Sequence, residues 1–164
     1  MTSSPICIND QLLKTGCYCL NESATNQYTN LFVGDHTLGL HSDSDEQLII
    51  HLAFLQTFKL SSITFGIPGD GSCPATIKLF ANINNLGFSD APDQPCTQQV
   101  SLSPADGASG MVTINLQPTK WQRVESITIF VEDNHGSDFT YLHALRVFGT
   151  AIHGTDVAKI SSGW

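Results

Sequence analysis

Leu48-Ile49-Ile50-His51-Leu52-Ala53-Phe54-Leu55-Gln56-Thr57-Phe58-Lys59-Leu60-Ser61-Ser62-Ile63-Thr64-Phe65-Gly66-Ile67 decides the fold class. Leu48, Ile50, Leu52 and Phe54 recur at period two, which puts them on one face of a β-strand and would scatter them around a helix. Phe58 and Leu60 open what reads as a second strand, whose phase then jumps to Ile63, Phe65 and Ile67. One residue too many between two in-phase sets is the mark of a β-bulge, predicted near Ser61 and Ser62. Pro68-Gly69-Asp70-Gly71 ends the run.

The same texture extends outward. Thr76 to Asn82 forms a third run and Val100 with Leu102 a short fourth, while Val112, Ile114 and Leu116 alternate with Thr113, Asn115 and Gln117, a strand with one wet face. Ile127 to Val131 is almost continuously apolar, as a central strand covered on both sides would be. Tyr141 to Phe148 closes the set before Gly149. Seven or eight strands result, so the fold class is all-β. Only Gln11 to Lys14 and Leu31-Phe32 hint at helical turns. Asn84 to Gln99 and Ser103 to Gly110, rich in Asp, Pro and Gly, read as surface connections. Thr155 to Trp164 loses periodicity and reads as a frayed tail.

The 164 residues suffice for one domain, and 41% apolar against 13% charged residues suits strands whose outward positions carry Ser, Thr, Asn and Gln. Fifteen Asp and Glu against seven Lys and Arg give a formal charge of −8, which repels a phosphate backbone, so nucleic acid is not an expected partner. No stretch approaches a membrane span, and Met1-Thr2-Ser3-Ser4-Pro5 lacks the start of a secretory signal. Five cysteines, an odd number, with Cys17 and Cys19 too close for an easy disulfide, fit a reducing compartment. The expectation is a soluble intracellular monomer, cytoplasmic with room for a nuclear share. Asn21-Glu22-Ser23 matches a glycosylation acceptor, a tripeptide that chance also produces.

Catalytic patterns are absent from the sequence. There is no Cys-x-x-Cys, no Gly-x-Ser-x-Gly, no His-Glu-x-x-His, and no Gly-rich loop followed by Lys. No pair of histidines sits at zinc-ligand spacing beside a cysteine pair. Cys73-Pro74 reads as a loop thiol that could be exposed. The reading is a non-enzyme with no catalytic residue, no resident metal and no cofactor.

The densest polar constellation, Asp43-Ser44-Asp45-Glu46-Gln47, precedes the first core strand. Its carboxylates either solvate the strand entrance or supply oxygen ligands to calcium, though no EF-hand spacing accompanies them. Glu132-Asp133-Asn134-His135-Gly136 follows a buried strand and most plainly makes a turn. Trp121, between Lys120 and Gln122, interrupts a polar connection; an exposed indole beside a cation would suit a partner contact, and burial is the alternative. The candidate partner-binding residues are therefore Asp43, Asp45, Glu46, Lys120, Trp121 and Gln122.

Cys19-Leu20-Asn21-Glu22-Ser23, Ser42-Asp43-Ser44-Asp45-Glu46-Gln47-Leu48-Ile49-Ile50-His51, Thr76-Ile77-Lys78-Leu79-Phe80-Ala81-Asn82 and Val124-Glu125-Ser126-Ile127-Thr128-Ile129-Phe130-Val131-Glu132-Asp133-Asn134 resemble the PITH domain family, named for the proteasome-interacting thioredoxin. The resemblance runs from about residue 7 to 150, leaving 151–164 as a tail. It implies a jelly-roll β-sandwich akin to galactose-binding-like domains, and docking of a protein partner, the regulatory particle of the 26S proteasome. A weaker likeness runs to the Doc module of the anaphase-promoting complex. The better-known family member carries a thioredoxin domain ahead of this module, whereas here the chain begins almost directly with it, so redox activity is not carried over. The rival reading is a calcium-dependent small-ligand or glycan-binding sandwich, supported by the acidic run alone.

Overall fold

A computed structural model describes residues 4–35 and 37–152 of the chain. Among them are ten strands: β1 (Ile6–Cys7), β2 (Tyr18–Leu20), β3 (Leu40–His41), β4 (Leu48–Gly66), β5 (Pro74–Ala81), β6 (Gln98–Ser101), β7 (Met111–Asn115), β8 (Val124–Asn134), β9 (Tyr141–Leu142) and β10 (Ala144–Ala151). Every pairing is antiparallel. The predicted tail from Thr155 lies outside the described residues.

The two strands expected between Leu48 and Ile67 are one, and this long β4 is what makes the sandwich. Its first half pairs with β8 and β2; its second half pairs with β10 and β7. Ala53 sits opposite Ser126 and Phe58 opposite Val124, so residues 54–57 occupy a stretch where β8 offers only Glu125. That excess of chain is the corner by which one strand changes sheets. One layer is therefore β6-β5-β8-β4-β2 and the other β1-β10-β4-β7. The bulge predicted near Ser61 is present: Phe148 pairs with Ser62 and Gly149 with Leu60, which leaves Ser61 unopposed.

Leu48, Ile50, Leu52, Phe54, Phe58, Leu60, Ile63 and Phe65 from β4 meet Ile77, Leu79, Ile127, Ile129, Val131, Leu145 and Val147 in the main core. Ile49, Phe80 and Phe130 point the other way and form a second cluster with Leu86 and Ala91. The connection after β5, expected as a plain surface loop, thus lies as a lid over the outer face of β5 and β8. It explains why β8 is apolar at successive positions: both of its faces are covered. The helical hint at Leu31-Phe32 is a 3₁₀ turn at Tyr28–Phe32, whereas between Gln11 and Lys14 the chain is extended at Leu12 and Leu13, with Leu12 bridging Phe54 and short 3₁₀ turns at Asn9–Gln11 and Lys14–Gly16 on either side.

Candidate partner-binding surface

The corner in β4 brings both of its ends to the same end of the sandwich, where four segments meet. Asn21, in the left-handed region at φ 69°, holds the Asp43–Gln47 loop. Its Nδ2 donates to Asp45 Oδ1 at 2.9 Å and to the Gln47 carbonyl at 2.7 Å, while its Oδ1 accepts from Ser44 N–H at 3.0 Å. Asp45 Oδ1 also accepts from Gln47 N–H at 3.0 Å. Two of the strings that suggested the family are thus one clamp. Both Nδ2 protons of Asn21 are committed, so glycan attachment there would require opening the loop.

Thr140 fastens the other side of that loop. Its hydroxyl donates to the Glu46 carbonyl at 2.6 Å, its N–H donates to Ser42 Oγ at 2.8 Å, and its carbonyl accepts from Ser42 N–H at 3.0 Å. Next to it β3 and β9 form a two-stranded ribbon, Leu40 opposite Leu142 and His41 opposite Tyr141. Leu40 and Leu142 are fully buried, so period two sends His41 and Tyr141 outward. The Tyr141 ring lies on Gly39, where a Cβ would sit 2.4 Å from Tyr141 Cε1. His41 packs 4.6 Å from the Tyr141 ring and 5.2 Å from the Phe139 ring, centroid to centroid. Phe139 is 43% exposed and Leu38, beside Gly39, 38% exposed.

The sequence pointed to this end through Asp43, Asp45 and Glu46 and missed the ring ledge beside them. One available signal was Phe139-Thr140-Tyr141-Leu142-His143, where Leu142 belongs to the core-facing set and the alternate set, Phe139, Tyr141 and His143, is aromatic throughout instead of polar.

Lys120, Trp121 and Gln122 are not at this end. Leu60 N–H donates to the Trp121 carbonyl at 2.9 Å, which places that loop at the opposite end of β8. From the Val124–Phe58 pair to the Val131–Leu48 pair is roughly 23 Å of strand. The two predicted loops do not form one surface. Trp121 is moreover wholly buried, its Nε1–H donating to Gln98 Oε1 at 3.0 Å, which corrects the expectation of an exposed indole. Lys120 and Gln122 are exposed beside it. Gln98 also donates to the Asn115 carbonyl and accepts from Gln117 N–H, so Trp121 and Gln98 close the seam between the two layers.

Cys73, expected as a possible exposed thiol, is buried. Burial, with the charges of Asp106 and Asp70 adding to it, pushes its pKa up to about 11. Burial raises Cys17, and burial with the negative charge of Glu22 raises Cys19 further. These three thiols stay protonated at neutral pH, the opposite of what a nucleophile requires. Among the described residues no group of three His, Cys, Asp or Glu side chains converges as metal ligands, and no helix is long and apolar enough to cross a membrane. A separate groove of about 490 Å³ is lined by Leu12, Lys14, Cys17, Tyr28, Phe32 and Val33.

The sandwich is similar to solved structures of low identity. It aligns with a family 32 CBM from C. perfringens NanJ, solved in complex with galactose, at TM-score 0.63 and 12% identity, covering 84% of this chain and 98% of that one. The C-terminal domain of a chitobiase from Bacteroides fragilis aligns at TM-score 0.61 and 15% identity, covering 88% and 100%. These likenesses carry the fold, a jelly-roll β-sandwich of the galactose-binding-like kind.

Sequence relatives carry the family. Thioredoxin-like protein 1 of Schizosaccharomyces pombe is 34% identical over 146 residues, 87% of this chain, which spans 50% of that protein's length. PITH domain-containing protein 1 of Dictyostelium discoideum is 29% identical over 147 residues, 85% of this chain and 71% of its own. The human protein of the same name is 28% identical over 141 residues, 83% and 63%. With the PITH domain model matching residues 2–162, and with the strings quoted at the outset lying at the Asn21 clamp and along β5 and β8, the chain belongs to the PITH domain family.

Proposed function

We propose that this chain is a non-catalytic docking module, cytoplasmic and nuclear, that attaches to the regulatory particle of the 26S proteasome through the sandwich end built by Asp43–Glu46 and the ring ledge. The observation that carries the reading is the exposure of Phe139 and Leu38 beside a loop immobilised by Asn21 and Thr140. Exposed apolar side chains on a rigid support are what a specific protein interface needs, because little ordering entropy is lost on binding. Membership of the PITH family supports a protein-interaction role, and the partner's identity is the proposal's own step.

The test is capture of purified regulatory particle on immobilised chain, with the PITH segment of thioredoxin-like protein 1 as positive control. Capture by the wild type, and its loss in Phe139→Ser, is the expected result. A chain that captures nothing while the control does would end this reading.

A carbohydrate-binding role is the second reading, favoured by the galactose-bound neighbour and by rings that could stack on a sugar. Its calcium-dependent form is weakened because Asp45 Oδ1 is already engaged by Asn21 and Gln47. Galactose and calcium titrations followed by melting temperature decide it: a saturable rise supports this reading.

A further inference from the structure

The ledge is apolar, but its rim is not. Ser42 and Thr140 bond reciprocally, and extending that register by one residue sets Asp43 opposite Phe139, both exposed. Asp138 precedes Phe139 in the chain. Asp45 and Glu46 share the loop that Thr140 ties down. Asp70 bonds Ser72, whose carbonyl accepts the Tyr141 N–H. The segments that build this end, residues 37–46, 66–73 and 132–143, contain no Lys or Arg, and Lys78 reaches Glu132 at 3.4 Å from β5. Lys59, Lys120 and Arg123 lie instead at the far end, where Leu60 meets Trp121 and β8 begins.

Rings edged by exposed carboxylates such as Asp43 and Asp138 select one ligand chemistry. An aromatic face attracts a cation through its quadrupole, and a neighbouring carboxylate adds a charge-assisted hydrogen bond. The long stems of Arg and Lys cover apolar surface while their heads reach the rim. An acidic segment would be repelled by the same rim, and a neutral sugar would gain nothing from it.

We propose that the ledge receives a basic segment of a partner protein, an Arg- or Lys-bearing strip whose stems lie along Leu38, Phe139 and Tyr141 and whose charged heads meet Asp43 and Asp138. This deepens the docking reading above and rests on it.

The test is a fluorescence-anisotropy titration of the full chain with a labelled peptide of alternating Leu and Arg, against a counterpart with Glu in place of Arg. The arginine peptide binds saturably and the glutamate peptide does not. Phe139→Ser weakens binding about tenfold. The exposed isosteric changes Asp43→Asn and Asp138→Asn, which leave the fold intact by circular dichroism, weaken it several-fold and reduce its salt dependence, while Asp90→Asn and Asp93→Asn, remote in the chain from the ledge, leave it unchanged. Equal affinity in the Phe139→Ser protein, or equal weakening by the remote pair, would overturn the proposal by showing attraction to net charge alone. If the peptide does not bind but Phe139→Ser still loses the regulatory particle, the basic-segment proposal falls and the docking reading stands. If the peptide binds as described and the particle is not captured, the docking partner is wrong and the ligand chemistry survives.

Discussion

Asn21 and Asn82 do similar work at two places. Both sit at left-handed φ, 69° and 60°, a region that Asn enters more readily than other non-glycine residues. Asn82 Oδ1 accepts from Glu125 N–H at 2.7 Å and its Nδ2 donates to the Arg123 carbonyl at 2.9 Å, pinning the entry to β8 as Asn21 pins the entry to β4. Substitution separates backbone from side chain. Asn21→Gly keeps the conformation and loses the bonds, costing about 1–3 kcal/mol in urea denaturation. Asn21→Ala loses both and falls roughly 1 kcal/mol further; equal stabilities would show that φ is not felt. His51 offers a second test at this scale. Thr128 gives its one hydroxyl proton to the Ile83 carbonyl at 3.0 Å, so in its 2.9 Å contact with His51 Nδ1 the imidazole must donate. Burial lowers the His51 pKa from its ordinary 6.5. The unfolded chain therefore takes up this proton at a higher pH than the folded one, and stability present above about 6.5 is lost as pH falls toward the folded value. Melting temperature should drop between pH 7 and pH 5, and His51→Gln should flatten that drop. His41, whose pKa burial also lowers, accounts for a remainder.

Among the elements, β4 and β10 are locked together at the bulge, and Gly149 is the residue that permits it. A Cβ there would stand 2.5 Å from the Lys59 carbonyl oxygen, which is backbone and cannot swing aside. Gly149→Ala should cost roughly 1–3 kcal/mol by overpacking, measured by thermal denaturation. Gly87→Ala, with nothing within 4 Å of its Cβ, serves as the near-neutral control. The strands were readable because alternation is local, and the Ser61 bulge betrayed itself as a slip of phase. The unity of β4 was not readable: Leu55, Gln56 and Thr57 are half-buried at the corner and look like a break between two strands. Trp121 was left between exposure and burial for a related reason. Its polar neighbours suggest exposure, whereas its environment is set by Leu60 and Gln98, residues 61 and 23 positions away.

At the scale of the molecule, a formal charge of −8 works against phosphate-backbone partners, and the acidic run lies at the sandwich end where docking is proposed. The ledge escaped notice because β3 meets β9 across about a hundred residues, with nothing in either segment naming the other. Lys59, Lys120 and Arg123 gather at the far end while Asp43, Asp45, Glu46 and Asp138 gather at the ledge, with Lys78 reaching Glu132 between them, so the field at the ledge would draw in an approaching basic partner. The bend in β4 has a further implication. Since a single continuous segment contributes rungs to both ladders, neither half can be excised as an autonomous unit. Any opening of one ladder frays the other, and the two should melt together in one step.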